Sequence, residues 1–425
     1  MESKTLSNIL IKDARVIDLG GSFNGKKLSI RIQDGIITEI GKDLKPGKSV
    51  VWSESNLCIS PGWMDGQAHF RDPGEELKEG LLRGLDAASA GGFTDVAILP
   101  STKPAIDNKA SVAYLKSRSL EGGAATDAHP LGCISENRKG AQLAEMLDMA
   151  EAGAIGFSDD GPVERAGLIQ MALEYLRPSG DVLVIQPLEK DINPGATMHE
   201  GAMSTALGLK GSPTEAETMR LKRDINILEY TGGRLHIPII SSAESVKLIK
   251  EAKKKGLAIT ASTTPHHLMF TDEEIACFDG TFRVEPPLRA KADRKALRSA
   301  LADGIIDGIC SDHRPENLEN NDVEFLLSPN GISGISSVFS AVLTACDKAN
   351  ITRVIDAISN ANRRAFNMTE VHISEGAEAK LTLFNPKGEH ISPSISGGIN
   401  DPWKKVDGLE GLVYGIVNGK RTFRN

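Results

Sequence analysis

The stretch Pro61-Gly62-Trp63-Met64-Asp65-Gly66-Gln67-Ala68-His69-Phe70-Arg71-Asp72-Pro73-Gly74 decides how the rest of the chain is read. It is an extended segment that ends in a polar cluster, after which Pro73-Gly74 turns the chain. Side chains two apart on a strand project to one face. Gln67 and His69 therefore share a face, in the geometry by which two histidines would reach one metal ion, but only one imidazole is present.

Downstream, strand-like and helix-like patterns alternate. Leu77, Leu81, Leu85 and Ala88 recur at helical spacing, Gly91-Gly92 stops that helix, and Phe93–Leu99 reads as a strand. Leu143, Met146, Leu147 and Ala150 form a helical stripe before the apolar run 154–157. Val182–Ile185 suits a buried parallel strand. Val246, Leu248, Ile249 and Ala252 make a helical face between the runs 235–240 and 257–260, and Ile306–Cys310 is the last clear strand. The alternation predicts a parallel sheet with crossover helices, which periodicity alone allows to be an open doubly wound sheet or a barrel. Residues 8–60 instead alternate short apolar runs with turns, including Asp34-Gly35, a hairpin signal. Residues 373–425 return to the same style.

Composition narrows the functional classes. The chain has 425 residues, long enough for a large core, and a formal net charge of −8. With a pI near 5.7 and no basic run interleaved with aromatics, nucleic acid is not an expected partner. The five cysteines, Cys58, Cys133, Cys277, Cys310 and Cys346, are scattered and form no C-x-x-C pair, which fits reduced thiols in a cytoplasmic protein. The N-terminus lacks the apolar core of a signal peptide, and no run approaches the roughly 20 apolar residues of a membrane span.

The quoted stretch resembles the first strand of the dihydroorotase family, in the amidohydrolase superfamily, whose pattern there is Asp-x-His-x-His-x-Arg-x-Pro-Gly. Further landmarks are Gly91–Thr94, Phe157–Gly161, Met198–Gly201, Gly211-Ser212-Pro213 with Ala216-Glu217, Pro265–Leu268, Pro286–Arg289 and Ser311–His313. The resemblance covers essentially the whole chain. It implies an α/β fold: a (β/α)8 TIM-like barrel over residues 61–372, with a small β-sandwich built discontinuously from 1–60 and 373–425. Lys380 stands where the family usually has aspartate.

The family opens a cyclic amide with metal-bound hydroxide while an aspartate shuttles the proton. Carried over by motif, His69 is kept, and Asp159, or Asp160 as the alternative, stands at the bridging carboxylate. Asp312 is the general acid/base and a ligand position. Three histidine ligand positions are lost, to Gln67, to Pro187 (Gln186 in the alternative alignment) and to Ile239. Among substrate-binding positions Arg71 is kept, while Ser101, Glu285 and Glu316 replace an asparagine, a second asparagine and a histidine. Plainer structural readings accompany these. His69 would be a hydrogen-bonded strand-end histidine, Asp312 and His313 a structural pair, His266-His267 part of the scaffold, and Arg71 an ion-pair partner of a carboxylate such as Glu285.

Two functions follow from the resemblance. One is a catalytically inactive homologue with a structural or regulatory role in pyrimidine synthesis, binding no metal. Its partner by analogy is aspartate transcarbamoylase or a second copy of itself. The other is an active cyclic amide hydrolase with one divalent metal on His69, Asp159 and Asp312, helped by Gln67; the metal would be zinc or, for so carboxylate-rich a set, manganese or magnesium.

Overall fold

The computed structural model describes residues 3–346, 350–391 and 395–425. Both ends of the chain contribute to one nine-stranded sheet. Asn8–Val16 pairs with Lys27–Gln33, Val50–Trp52 and Cys58–Pro61, and Ile36–Gly41 lies beyond Lys27–Gln33. Cys58–Pro61 then pairs antiparallel with Lys380–Glu389, which leads through Glu410–Asn418 and Arg421–Arg424 to Ser3–Thr5. The Asp34-Gly35 turn works as its sequence predicts. Both residues are left-handed, at φ 49° and 85°, and Gln33 pairs directly with Ile36. This sheet buries its own apolar core, including Ile9, Ile11, Ile30, Leu381, Leu383 and Val417.

The central segment has the (β/α)8 arrangement. Trp63–Ala68, Phe93–Ile98 and Asp127–Pro130 form one parallel arc. Val182–Val184, Arg234–Ile237, Ile259–Thr263 and Gly308–Ile309 form another. Phe157 bridges Gly132 on one arc and Leu183 on the other, and Ala68 bridges His313 beyond the last strand, so single parallel bridges join both seams. Helices such as Leu81–Ala90, Lys109–Glu121, Thr214–Thr231, Ala243–Lys254 and Lys291–Ala302 connect successive strands. Asn108 and Ser242 cap two of them by accepting from the backbone N–H three residues on.

Trp63 fixes the join between the first barrel strand and the terminal sheet. Fully buried, its ring centre lies 4.8 Å from Phe339, 5.5 Å from Phe384 and 6.1 Å from Phe93. Gly92 is required beside it: at φ 92°, a Cβ there would come within 2.7 Å of the indole.

Two helical stripes start later than their spacing predicts. Leu77 is 94% exposed and precedes its helix, because Gly80, at φ 88°, interrupts the backbone and the first turn begins at Leu81. Leu143 is held in a bridge to Ser135, and that helix runs Met146–Ala152. Cys58, Cys133, Cys310 and Cys346 are buried, Cys277 is exposed, and all five are free thiols. Among the described residues no helix is long and apolar enough to cross a membrane.

Candidate functional site

The first and last barrel strands are tied together where the site begins. Asp65 accepts from Ser311 N at 2.7 Å and Ser311 Oγ at 2.5 Å. Burial lifts Asp65 to about 7 despite these bonds. The tie sets Asp312 opposite Gln67, whose Nε2 donates to Asp312 Oδ1 at 2.7 Å. Gln67 therefore serves its neighbour as a hydrogen-bond donor.

Both ring nitrogens of His69 are engaged. Arg71 N donates to Nδ1 at 3.0 Å, so the ring proton sits on Nε2, which donates to Ser101 O at 2.9 Å. Burial and the nearby Arg71 charge push His69 down to about 3, so the ring is neutral at pH 7. Its two nitrogens are held by backbone groups of Arg71 and Ser101.

The centre of the site holds a residue absent from the expected set. Arg314 donates from Nη2 and Nη1 to Asp160 Oδ1 and Oδ2, at 2.5 and 3.1 Å, and from Nε to Asp312 Oδ1 at 2.9 Å. Burial alone would raise Asp160, but the paired guanidinium wins and holds its carboxyl below the usual range. Asp312, with one bond to the same group, is raised by its burial. A small cavity of about 70 Å³ remains, lined by Asp160, Gln186, Glu285, Asp312, Arg314 and neighbouring residues. Arg71, Asp160 and Asp312 all adopt left-handed backbone conformations, at φ 62°, 48° and 46°, a local cost that non-glycine residues rarely bear.

Of the two alternatives for the bridging carboxylate, Asp160 is the one whose side chain reaches the centre. Asp159 turns away, its Oδ1 accepting from Ile134 N and Ser135 N at 2.9 and 3.0 Å and its Oδ2 from Ser135 Oγ at 2.6 Å. Asp160 reaches the centre and also accepts from Ser101 Oγ. Pro187 and Ile239 are buried and offer no side-chain donor atom. Gln186 donates to Glu285 O at 3.1 Å.

Arg71 pairs with Glu316 rather than Glu285. Its Nη2 lies 2.7 Å from Glu316 Oε1, while Glu285 faces Lys190 at 3.9 Å. Lys78 joins the same carboxylate, 2.9 Å from Glu316 Oε2, although Glu316 is only 2% exposed. Arg314 and Lys78 are the two residues that sequence reasoning missed. A signal for the first was present: in the family's Asp-His-Ala-Pro-His pattern, carried onto 312–316, the alanine place is Arg314. His313 accepts from Gly334 N at 3.1 Å and lies 3.7 Å from Glu79, so it does not pair with Asp312. His267, bonded to Thr264 Oγ1 and Pro286 O, belongs to the scaffold; His266 packs against its ring at 4.7 Å.

Zinc of the kind that hydrolyses cyclic amides does not fit these residues. His69 has no free nitrogen, Gln67 presents N–H to Asp312, and a guanidinium already sits between the two remaining carboxylates. Among the described residues no three histidine, cysteine or carboxylate side chains converge as a metal site requires, and Asp159 is engaged with Ile134 and Ser135.

The fold is shared with L-hydantoinase (dihydropyrimidinase) from Arthrobacter aurescens, at a TM-score of 0.79 and 17% identity over 97% of this chain and 95% of that one. Dihydropyrimidinase from Brevibacillus agri gives 0.77 and 19% over 97% and 94%. This likeness defines the fold as a TIM-like barrel. Residues 57–245 match the Dihydro-orotase-like family. Dihydroorotase of Pelotomaculum thermopropionicum is 39% identical across 97% of this chain and 98% of that protein. That of Anaeromyxobacter dehalogenans is 37% identical across 98% of each. The chain belongs to the dihydroorotase family.

Proposed function

We propose that this chain is a catalytically inactive dihydroorotase homologue with a structural or regulatory role in pyrimidine synthesis. The observation that carries the reading is the guanidinium of Arg314, bonded to both Asp160 and Asp312 where the family's chemistry calls for a metal ion. A bound metal would supply a Lewis acid and a hydroxide at neutral pH by lowering water's pKa from 15.7 to about 7. Arg314 supplies charge but no open coordination position, and its proton is held more tightly than in a free guanidinium by the two carboxylates. Asp312 Oδ1 already accepts from both Gln67 Nε2 and Arg314 Nε.

The substrate side supports the same reading. Arg71, the residue suited to a substrate carboxylate, already faces Glu316. In such a role the chain would act through association, with aspartate transcarbamoylase or with a second copy of itself. Metal analysis of the purified protein, after dialysis against zinc and then against buffer, tests the proposal. Less than a tenth of an equivalent of retained zinc is expected, and one or more tightly held equivalents would overturn it.

A further inference from the structure

We infer that the segment Asp312–Glu316 fills the old site with the protein's own charges, Arg314 as the fixed cation of Asp160 and Asp312, and Glu316 as the fixed anion of Arg71 and Lys78. This rests on the inactive reading of the site and adds what occupies it and what holds the occupant in place. The two charges are two residues apart, so one short piece of backbone positions both.

That backbone is clamped from the C-terminal part of the chain. Asn400 Nδ2 donates to Arg314 O at 2.9 Å, and Asn400 Oδ1 accepts from Glu316 N at 2.9 Å. Arg314 N donates to Ile332 O at 2.8 Å and Ile399 N donates to Glu316 O at 3.0 Å. Room for the arginine comes from Gly331: a Cβ there, at φ 136°, would meet Arg314 Cβ at 2.5 Å. The groups so positioned are deeply placed, with side-chain exposures of 18% for Arg314, 3% for Asp312, 5% for Asp160 and 2% for Glu316.

Removing one member of such a set leaves buried like charges without their counter-ion, and that is costly. The vacancy also has a chemical signature. Without Arg314 the two carboxylates of Asp160 and Asp312 face one cavity and suit a hard divalent cation. Without Glu316 the cations Arg71 and Lys78 face an empty space, and Arg71 Nε, already buried without a partner, becomes available with Nη2 as a fork for a small carboxylate.

The test uses thermal melts of the full chain with manganese chloride, sodium formate, or sodium chloride at matched ionic strength. Arg314→Gln should melt several degrees below wild type and recover with manganese but not formate. Glu316→Ala should also melt lower and recover with formate but not manganese. Wild type should respond to neither ion beyond the sodium chloride control. Variants that melt with the wild type, losses that no ion specifically restores, or a wild type raised as much as the variants would each overturn the inference. Should Arg314→Gln fail to fold, Arg314→Lys, which keeps the charge, should fold and melt below wild type; its failure to fold would overturn the inference too. Dihydroorotate turnover separates this from the inactive reading. An active wild type with ion-specific recovery would sink only that reading, and an inactive wild type with ion-blind melts would sink only the inference.

Discussion

Lys380 Nζ lies 2.7 Å from Asp95 Oδ1, joining the terminal sheet to the base of the barrel's second strand. The same ammonium is 3.1 Å from Asp127 Oδ2 on the third strand. Asp95 also accepts from Arg363 and from His129 Nε2, the latter at 2.8 Å, and although burial opposes it, the Arg363 charge, the His129 hydrogen bond and the Lys380 charge hold its carboxyl well below the usual range. The departure to lysine at 380 thus has a structural consequence: from the terminal sheet it bridges two acidic residues on barrel strands.

Lys380→Ala should therefore lower unfolding free energy by about 2 kcal/mol, short of the ~3–5 kcal/mol for breaking a fully buried pair, because Arg363 beside Asp95 and Arg421, 2.5 Å from Asp127 Oδ1, still neutralise the two aspartates. Lys380→Asp should cost more, since it adds a third carboxylate to the cluster. Urea unfolding of the two variants checks both the sign and the order.

Asp312→Asn should fold and lose only about 1 kcal/mol, the scale of one hydrogen bond, because Arg314 keeps both bonds to Asp160 and Gln67 can still donate to the amide oxygen. Chemical denaturation beside wild type measures it. An unfolded Asp312→Asn would mean that the carboxylate carries far more of the local structure than these contacts describe.

Asp224 gives a pH dependence away from the site. It is fully buried, and burial raises it to about 6 in spite of Arg223 at 2.7 Å, with Oδ2 left without a partner. A folded pKa above the unfolded 3.8 means the native state holds the proton longer. This group's contribution is therefore fully present below about 4 and is lost as pH rises towards 6. At ~1.4 kcal/mol per unit, the loss is about 2–3 kcal/mol. Asp224→Asn removes that slope, so its stability relative to wild type should improve between pH 4 and 7, as read from urea midpoints at each pH.

Restoring the histidines alone should not restore zinc. Gln67→His, Pro187→His and Ile239→His together would add imidazoles around a centre that Arg314 still occupies. The same three changes with Arg314→Ala should bind zinc more tightly in equilibrium dialysis, and neither variant should gain turnover while Ser101, Glu285 and Glu316 remain. Equal zinc affinity in the two would deny Arg314 its place at the centre.

The parallel sheet with crossover helices was legible in the sequence because strand and helix periodicities differ and the chain alternates between them regularly, whereas closure into a barrel came only with the family resemblance. Errors arose where one local conformation decided the outcome. Leu77 fits a helical stripe by spacing, yet Gly80 in a left-handed turn keeps it outside the helix. Asp159 and Asp160 are adjacent and chemically identical, and only the loop geometry at Ile134 and Ser135 shows which carboxylate turns away. The pairing of Arg71 with Glu316 joins residues 245 apart in sequence, which spacing cannot reveal, and the sequence offered Glu285 only as an example of a nearby carboxylate. Missing histidines could be counted directly, whereas the arginine that fills their place could be recognised only once the strand ends had been brought together.

The most direct measurement is dihydroorotate turnover by the purified wild-type chain, with added zinc or manganese and again after chelator treatment. The account predicts no turnover above the buffer rate under any of these conditions. Turnover that disappears both in chelator and in Asp312→Asn would contradict it, because it would show metal-assisted hydrolysis at the centre now assigned to Arg314.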